Sequence, residues 1–375
     1  MAILYGPRDL KDRVLGDGWD ATELTKLRTE LRTEGNVSIE QITNLLVGAV
    51  SALNAELLND PIMGQLFNVT LEPAIEYRQG STNEVVDFAE YAPADAQRGD
   101  TQGHMLPRKE KVYPLDWTWS YLRRARMPQI EADVDALVAS WRNVWEKALL
   151  TRFTLSADES GVSKGLGSSG YSPGFCHTAG STSVAFLPPP YQGKTFATTH
   201  EHFNATNSTT AANWTAAINA MTLHLAEHGH AAPFTLMISY LDQSTVEGLT
   251  GFRPRAVSEI RYGLTQDLAL VGEAYTGVVD TPSGVAMVNI QNRLPQYTML
   301  MFKNYGVRSP RAPLLVRYAA DMGLVVNFLP GESYRQFPVE ELLTFGEFGV
   351  GVGPDRTNGV CHQMSAASYS DPTIS

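Results

Sequence analysis

Apolar residues recur at three- and four-residue steps from Ile39 through Ile42, Leu45, Leu46, Ala49, Val50 and Leu53 to Leu57. This spacing predicts an amphipathic helix that Asp60-Pro61 ends. Ser38-Ile-Glu-Gln41 ahead of it, and Asp20-Ala-Thr-Glu23 further upstream, both have capping-box spacing. Such a helix packs either on its own core or, as an arm, on a neighbour. The pattern then shortens: Leu66, Phe67, Val69 and Leu71 predict a strand over 64–71. Tyr113, Leu115, Trp117, Trp119 and Tyr121 alternate with Pro114, Asp116, Thr118 and Ser120, which predicts a second strand with an aromatic face.

About forty polar residues without a helical pattern separate these two strands. Loops beyond roughly 12–15 residues are uncommon in compact domains and usually functional. This one is divided by charge, with Glu84, Asp87, Glu90 and Asp95 going out and Arg98, Arg108, Lys109 and Lys111 returning. After Pro128, a first-turn residue, Ile130, Val134, Leu137, Trp141, Trp145, Ala148 and Leu149 predict a helix to about Phe153. Its roughly 25 residues at about 1.5 Å each span roughly 35–40 Å. Trp141 and Trp145, one turn apart, fix its buried face. The Gly/Ser-rich stretch 156–180 reads as loop.

From Phe186 the texture changes. Thr210–Glu227 predicts a helix, Phe234–Ser239 a buried strand and Leu241–Leu249 a short helix. Strands are expected at 269–271, 285–290, 297–302, 314–318, 324–329 and 345–352, with no internal repeat.

Composition sharpens this picture. Apolar residues make up 43% of the 375, enough for a large core, while charged residues reach only 18%. Low charge suits a chain that hides surface between partners. The net charge of −11 argues against tight sequence-blind nucleic-acid binding, though not against enclosing nucleic acid. Cys176 and Cys361 alone make no disulfide framework and fit a reducing origin. No apolar signal core is expected near Met1, and no run approaches the roughly 20 residues of a membrane span.

Candidate chemistry is sparse. Gly165-Leu-Gly-Ser-Ser-Gly170 spells a dinucleotide fingerprint, but a long helix precedes it where a strand is required. His224, His228 and His230 cluster around Glu227, with His200 and His202 upstream, yet the His-Glu-x-x-His order of a zinc protease is missing. The expectation is therefore no catalytic residue, no cofactor and no metal. Cys176-His177 are adjacent and do not face each other, and Arg123, Arg124 and Arg126 read as ion-pairing surface.

The order of parts is more telling than any motif. A helical arm, a strand, a two-armed polar loop, the run Tyr113–Tyr121 into the Pro128–Phe153 helix, and then the helix–strand step Thr210–Ser239 resemble the major capsid proteins of tailed bacteriophages, with their Hong Kong 97-type fold. The resemblance implies an α+β chain with an N-terminal arm (1–60) and an extended E-loop (76–111). It implies a peripheral domain (61–75, 112–185 and 329–375) with a spine helix (128–154), and an axial domain (186–328). Glu84, Asp87, Glu90, Asp95, Arg98, Arg108, Lys109 and Lys111 would then face neighbouring subunits, and Trp141 and Trp145 would seat the spine helix. Implied too are hexamers and pentamers of an icosahedral head around double-stranded DNA, with scaffolding, portal or decoration proteins as partners and no membrane. The location would be the virion, assembled in the host cytoplasm. Two alternatives remain: an encapsulin-type compartment shell, and a metal-dependent hydrolase built on His224, His228 and His230.

Overall fold

The helix predicted from Ile39 begins as its spacing requires. Ser38 Oγ accepts from Gln41 N (3.2 Å) while Ser38 N donates to Gln41 Oε1 (2.9 Å). Two amides that the helix cannot satisfy are thereby satisfied reciprocally. At the far end Asp60 Oδ1 accepts from Ile62 N and Met63 N and turns the chain.

The computed structural model describes residues 30–78, 101–106, 108–163, 167–176, 186–197, 199–254, 275–319, 326–330 and 339–374. The expected cap at Asp20 and strand at 269–271 lie outside these. Among the described residues the α-helices are α1 (Ile39–Asn59), α2 (Trp119–Arg124), α3 (Met127–Thr154), α4 (Ala211–Glu227) and α5 (Gln243–Glu247). The strands are β1 (Phe67–Thr70), β2 (Ala74–Arg78), β3 (Thr101–Met105), β4 (Lys109–Thr118), β5 (Glu159–Ser163), β6 (Gly167–Ser172), β7 (Phe203–Thr206) and β8 (Phe234–Ser239). They continue with β9 (Phe252–Pro254), β10 (Gly277–Thr281), β11 (Gly284–Gln291), β12 (Thr298–Lys303), β13 (Leu314–Tyr318), β14 (Asn327–Pro330), β15 (Val339–Val352) and β16 (Val360–Met364). The fold is thus mixed helix and sheet. Among the described residues, no helix is long and apolar enough to cross a membrane.

The chain divides into two units. The first takes Met1–Glu56, Glu110–Arg142 and Met322–Gly346. Its buried residues include Ile42, Leu46, Val50 and Leu53 of α1 as well as Trp117, Leu122, Ile130, Val134, Leu137 and Trp141. The apolar stripe of α1 is therefore covered by its own chain. Asn54 seals it by bonding both the carbonyl and the amide of Val326 (2.8 and 3.0 Å). Trp141 Nε1 donates to Thr344 Oγ1 (2.8 Å), which donates onward to the Tyr113 carbonyl (3.1 Å).

The expected strand 113–121 needs correction, because β4 stops at Thr118. Thr118 Oγ1 accepts from Tyr121 N (3.1 Å) and caps α2, so Trp119 and Tyr121 are helical. Trp119 remains buried, whereas Tyr121 is exposed and reaches Asp133 through its hydroxyl (3.2 Å).

The second unit takes Leu57–Lys109, Asn143–Asp321 and Glu347–Ser375. Its main sheet has seven strands in the order β7-β16-β12-β8-β11-β10-β9. All six residues of β8 are buried, since both faces of the sheet are covered. One face carries α4, through Trp214, Ile218, Met221 and Leu225 against Phe234, Leu236 and Ile238. On the other, Phe153 at the end of α3 meets Phe175 (4.8 Å) and Phe302 (6.0 Å). In a smaller sheet β1 runs parallel to β13, and β13 runs antiparallel to the end of β15. Trp145 sits between Phe67 (5.2 Å, edge-on) and Phe348 (5.1 Å).

The stretch expected as loop over 156–180 contains the antiparallel hairpin β5/β6. Gly167 and Gly170 of the dinucleotide spelling lie within β6, a strand where the fingerprint needs the turn into a helix.

Candidate functional site

Two places have the makings of a site: the base of the charged loop, and a histidine cluster.

β2 and β3 pair from Ala74 with Met105 to Arg78 with Thr101, so residues 79–100 leave and return through adjacent strand ends. Glu84, Asp87, Glu90, Asp95 and Arg98 lie outside the described residues. Arg108 Nε stands 3.3 Å from Glu347 Oε1 with both side chains mostly buried, so its charge already has a partner in this chain. That contact is a charge pair without hydrogen-bond alignment. Lys109 and Lys111 open β4.

Beneath the loop base lies a buried polar network that sequence reasoning missed. Arg356, fully buried, donates to the Gly174 carbonyl from Nε (3.1 Å) and Nη2 (2.9 Å), and to Tyr77 Oη from Nη1 (3.1 Å). Its guanidinium also stacks 4.8 Å from the Phe186 ring. Tyr77 Oη then faces His104 Nδ1 (3.4 Å), while His104 Nε2 donates to the Val352 carbonyl (3.1 Å). The chain of donors makes His104 a neutral Nε2–H tautomer. Burial first, and the Arg356 charge second, push its pKa down to about 3. The local sequence Gly-Pro-Asp-Arg356-Thr reads as an exposed turn.

The histidines do not gather as His224, His228 and His230, the group of the hydrolase alternative. Helix α4 is capped at His228, and Gly229 at φ +85° turns the backbone into a region that disfavours side chains. His230 therefore departs, bonding Tyr305 Oη (2.8 Å) through Nδ1 and Thr357 Oγ1 (3.0 Å) through Nε2. In its place the structure brings His200 and His202 to His224 and His228. One ring nitrogen from each lies within 4.8 Å of all the others.

Local chemistry explains the meeting. His224 and His228 are one helical turn apart on one face of α4 and its cap. His200 and His202 are two apart on the segment that leads into β7, where His200 N donates to the Ala197 carbonyl (3.0 Å). That segment is held by His202 N to the Cys176 carbonyl and by Cys361 N to the His202 carbonyl, both 2.8 Å. His202 Nδ1 donates to the Gly359 carbonyl (2.7 Å), and a Cβ at Gly359 would come within 2.5 Å of the Phe175 ring.

His228 Nε2 lies 2.8 Å from His200 Nε2 and 3.0 Å from His202 Nε2. The His200 and His224 rings stack 4.5 Å apart. Burial, then mutual repulsion, holds His202 well below the usual imidazole range, His224 at about 3 and His228 at about 2; burial also lowers His200. All four are neutral imidazoles near pH 7. Glu227 is engaged by Lys194, so no free carboxylate from α4 stands ready as a base. Cys176 and Cys361 are fully buried with thiol pKa values pushed up, which makes them inert.

No family model matches the chain, and no curated protein matches it. Solved structures do. A structure from Mycobacterium phage Patience matches at TM-score 0.62 and 16% identity, over 91% of this chain and 93% of that one. The capsid of a native GTA particle matches at TM-score 0.49 and 11% identity, over 80% and 89%. The mature capsid of bacteriophage PhiM1 matches at TM-score 0.45 and 12% identity, over 81% and 87%. Nearly end to end, this chain has the fold of the Mycobacterium phage Patience structure.

Proposed function

We propose that this chain is a phage major capsid protein, a structural shell subunit without enzymatic activity. The observation that carries the reading is the fold shared with a phage structure over 91% of the chain. Composition supports it, since 18% charge suits a subunit that covers much of its surface with copies of itself.

In finer terms the chain follows the Hong Kong 97 plan. Residues 1–60 are the N-terminal arm and 76–111 the E-loop. α3 is the spine helix of the peripheral domain, and 186–328 form the axial domain. The subunits assemble as hexamers and pentamers around double-stranded DNA in the virion, with scaffolding, portal or decoration proteins as further partners. Between Gln79 and Asp100 the large apolar side chains are few, with Val85, Val86, Phe88 and Tyr91 the main ones. Their area is too small to offset ordering about twenty residues on one subunit, at roughly 1–2 kcal/mol each. A neighbouring copy supplies the missing surface, and the acidic and basic arms set the register. The encapsulin-type alternative is not favoured, because the likeness that carries weight is to a phage structure.

Replacing Gln79–Asp100 with a short Gly/Ser turn tests this, because Arg78 and Thr101 are already paired and a tight turn closes the hairpin. The wild-type chain should scatter light as capsomers or megadalton shells, and the variant should stay folded yet form no closed particle. A wild-type species near 41 kDa at micromolar concentration would sink the capsid reading. Normal shells from the variant would remove the E-loop assignment.

A further inference from the structure

We propose that His200, His202, His224 and His228 bind one divalent late first-row transition ion, zinc foremost, as a closed four-imidazole site. It would tie the segment entering β7 to the last turn of α4. The proposal requires nothing of the capsid reading and departs from the expectation of a metal-free chain.

Distances come first. Zinc–imidazole bonds of about 2.0–2.1 Å in a tetrahedron set the nitrogens roughly 3.3–3.4 Å apart. The cluster brackets that value, with two contacts at 2.8 and 3.0 Å and every ligand atom within 4.8 Å of the rest. Closing the widest pair from 4.8 Å to the tetrahedral value takes about 0.7 Å at each of two rings, a movement that side-chain rotation supplies.

Hydrogen bonding alone leaves the cluster incomplete. His202 gives its Nδ1 proton to the Gly359 carbonyl, so its Nε2 presents a lone pair. His228 Nε2 faces two ring nitrogens at once and can give a proton well to only one of them. His224 Nε2, shielded from solvent, has no hydrogen-bond partner. A cation takes up the lone pairs that no donor meets. The His202–Gly359 bond is also the outer-shell contact that fixes a ligand histidine's tautomer and ring orientation.

The donor set selects the class of ion. Four nitrogens with no oxygen or sulfur exclude calcium and magnesium and suit zinc, cobalt, nickel or copper. With four protein ligands no position stays open for water, so the site is structural and hydrolysis is not its purpose. The Phe196 ring walls it, 4.8 Å from His200 and 4.3 Å from His228. His228 also lines a cleft of ≈ 380 Å³.

The test uses the full chain, free of affinity-tag histidines, loaded with zinc chloride, dialysed and measured by elemental analysis. About one zinc per chain is expected, and cobalt in its place should give the intense visible bands of tetrahedral coordination. His200→Ala, at a half-buried position, and His224→Gln should each weaken zinc binding beyond the roughly 10–100-fold typical of losing an outer-shell partner. Circular dichroism checks that each variant is folded. Substoichiometric zinc at micromolar free ion, a weak octahedral cobalt spectrum, or unchanged stoichiometry in folded His200→Ala would each overturn the proposal.

Discussion

The two tryptophans of α3 look interchangeable in sequence but should respond unequally to the same substitution. Trp141 is 3% exposed and its Nε1 donates to Thr344 Oγ1 at 2.8 Å. Trp145 is 1% exposed and its Nε1 has no hydrogen-bond partner between the Phe67 and Phe348 rings. Trp→Phe removes the pyrrole half of either ring, and by cavity scaling this costs about 1–2 kcal/mol at both positions. At 141 the change also breaks a hydrogen bond worth about 1 kcal/mol. At 145 it removes a buried unsatisfied donor whose penalty is about 1–3 kcal/mol. Trp141→Phe should therefore cost about 2–3 kcal/mol, whereas Trp145→Phe should fall between a gain of about 2 kcal/mol and a cost of about 1 kcal/mol. Thermal or urea unfolding of unassembled subunits, in the loop-replaced background so that shells do not mask the difference, measures the gap. At this chain length 1 kcal/mol shifts the melting temperature by about 1.3 °C, so the two variants should differ by roughly 1–6 °C. If Trp145→Phe proves as damaging as Trp141→Phe, the assignment of the two indole environments is wrong.

Two further outcomes concern the Arg356 network. Arg356→Met should destabilise the subunit by about 3–5 kcal/mol, since it strips the buried Gly174 carbonyl and Tyr77 hydroxyl of charged donors; a change under 1 kcal/mol in urea unfolding would refute this. His104, with a folded pKa of about 3 against an ordinary 6.5, takes up its proton sooner when unfolded. Its contribution to stability is therefore complete above pH 6.5 and is lost as pH falls from 6.5 towards 3. His362, lowered to about 4, acts in the same sense. His104→Gln should flatten that acid limb in pH-resolved unfolding, and an unchanged limb would exclude His104 as a source.

The elements most legible in sequence are those whose burial follows a single period. α3 is readable because Ile130, Val134, Leu137, Trp141 and Trp145 all reach the interior at helical steps, and β8 because six apolar-leaning residues are buried on both faces. Alternation misled where a hydroxyl intervened: Thr118 carries a period-two pattern up to a helix cap, and the aromatic run continues past it by coincidence of spacing. The β5/β6 hairpin left no trace because Gly and Ser supply no apolar alternation. The histidine cluster depended on two short patterns, His-x-His on the segment before β7 and His-x-x-x-His at the end of a helix. Each is weak alone, and only the β7–β16 pairing and the placement of α4 bring them together. Arg356 was invisible because its partners are backbone groups and a tyrosine more than 170 residues away.

The order of strands in the main sheet bears on how the chain is made. β16 lies between β7 and β12, although it is synthesised some 57 residues after β12 and more than 150 after β7. At about 5–20 residues per second, β12 waits roughly 3–12 s with one edge unpaired. An open apolar edge of that kind can template pairing with another nascent chain. Ribosomes crowded on one message would bring such edges together, so the interval before Val360–Met364 arrives is when a chaperone holding the β12 edge would most raise the yield of correctly folded subunit.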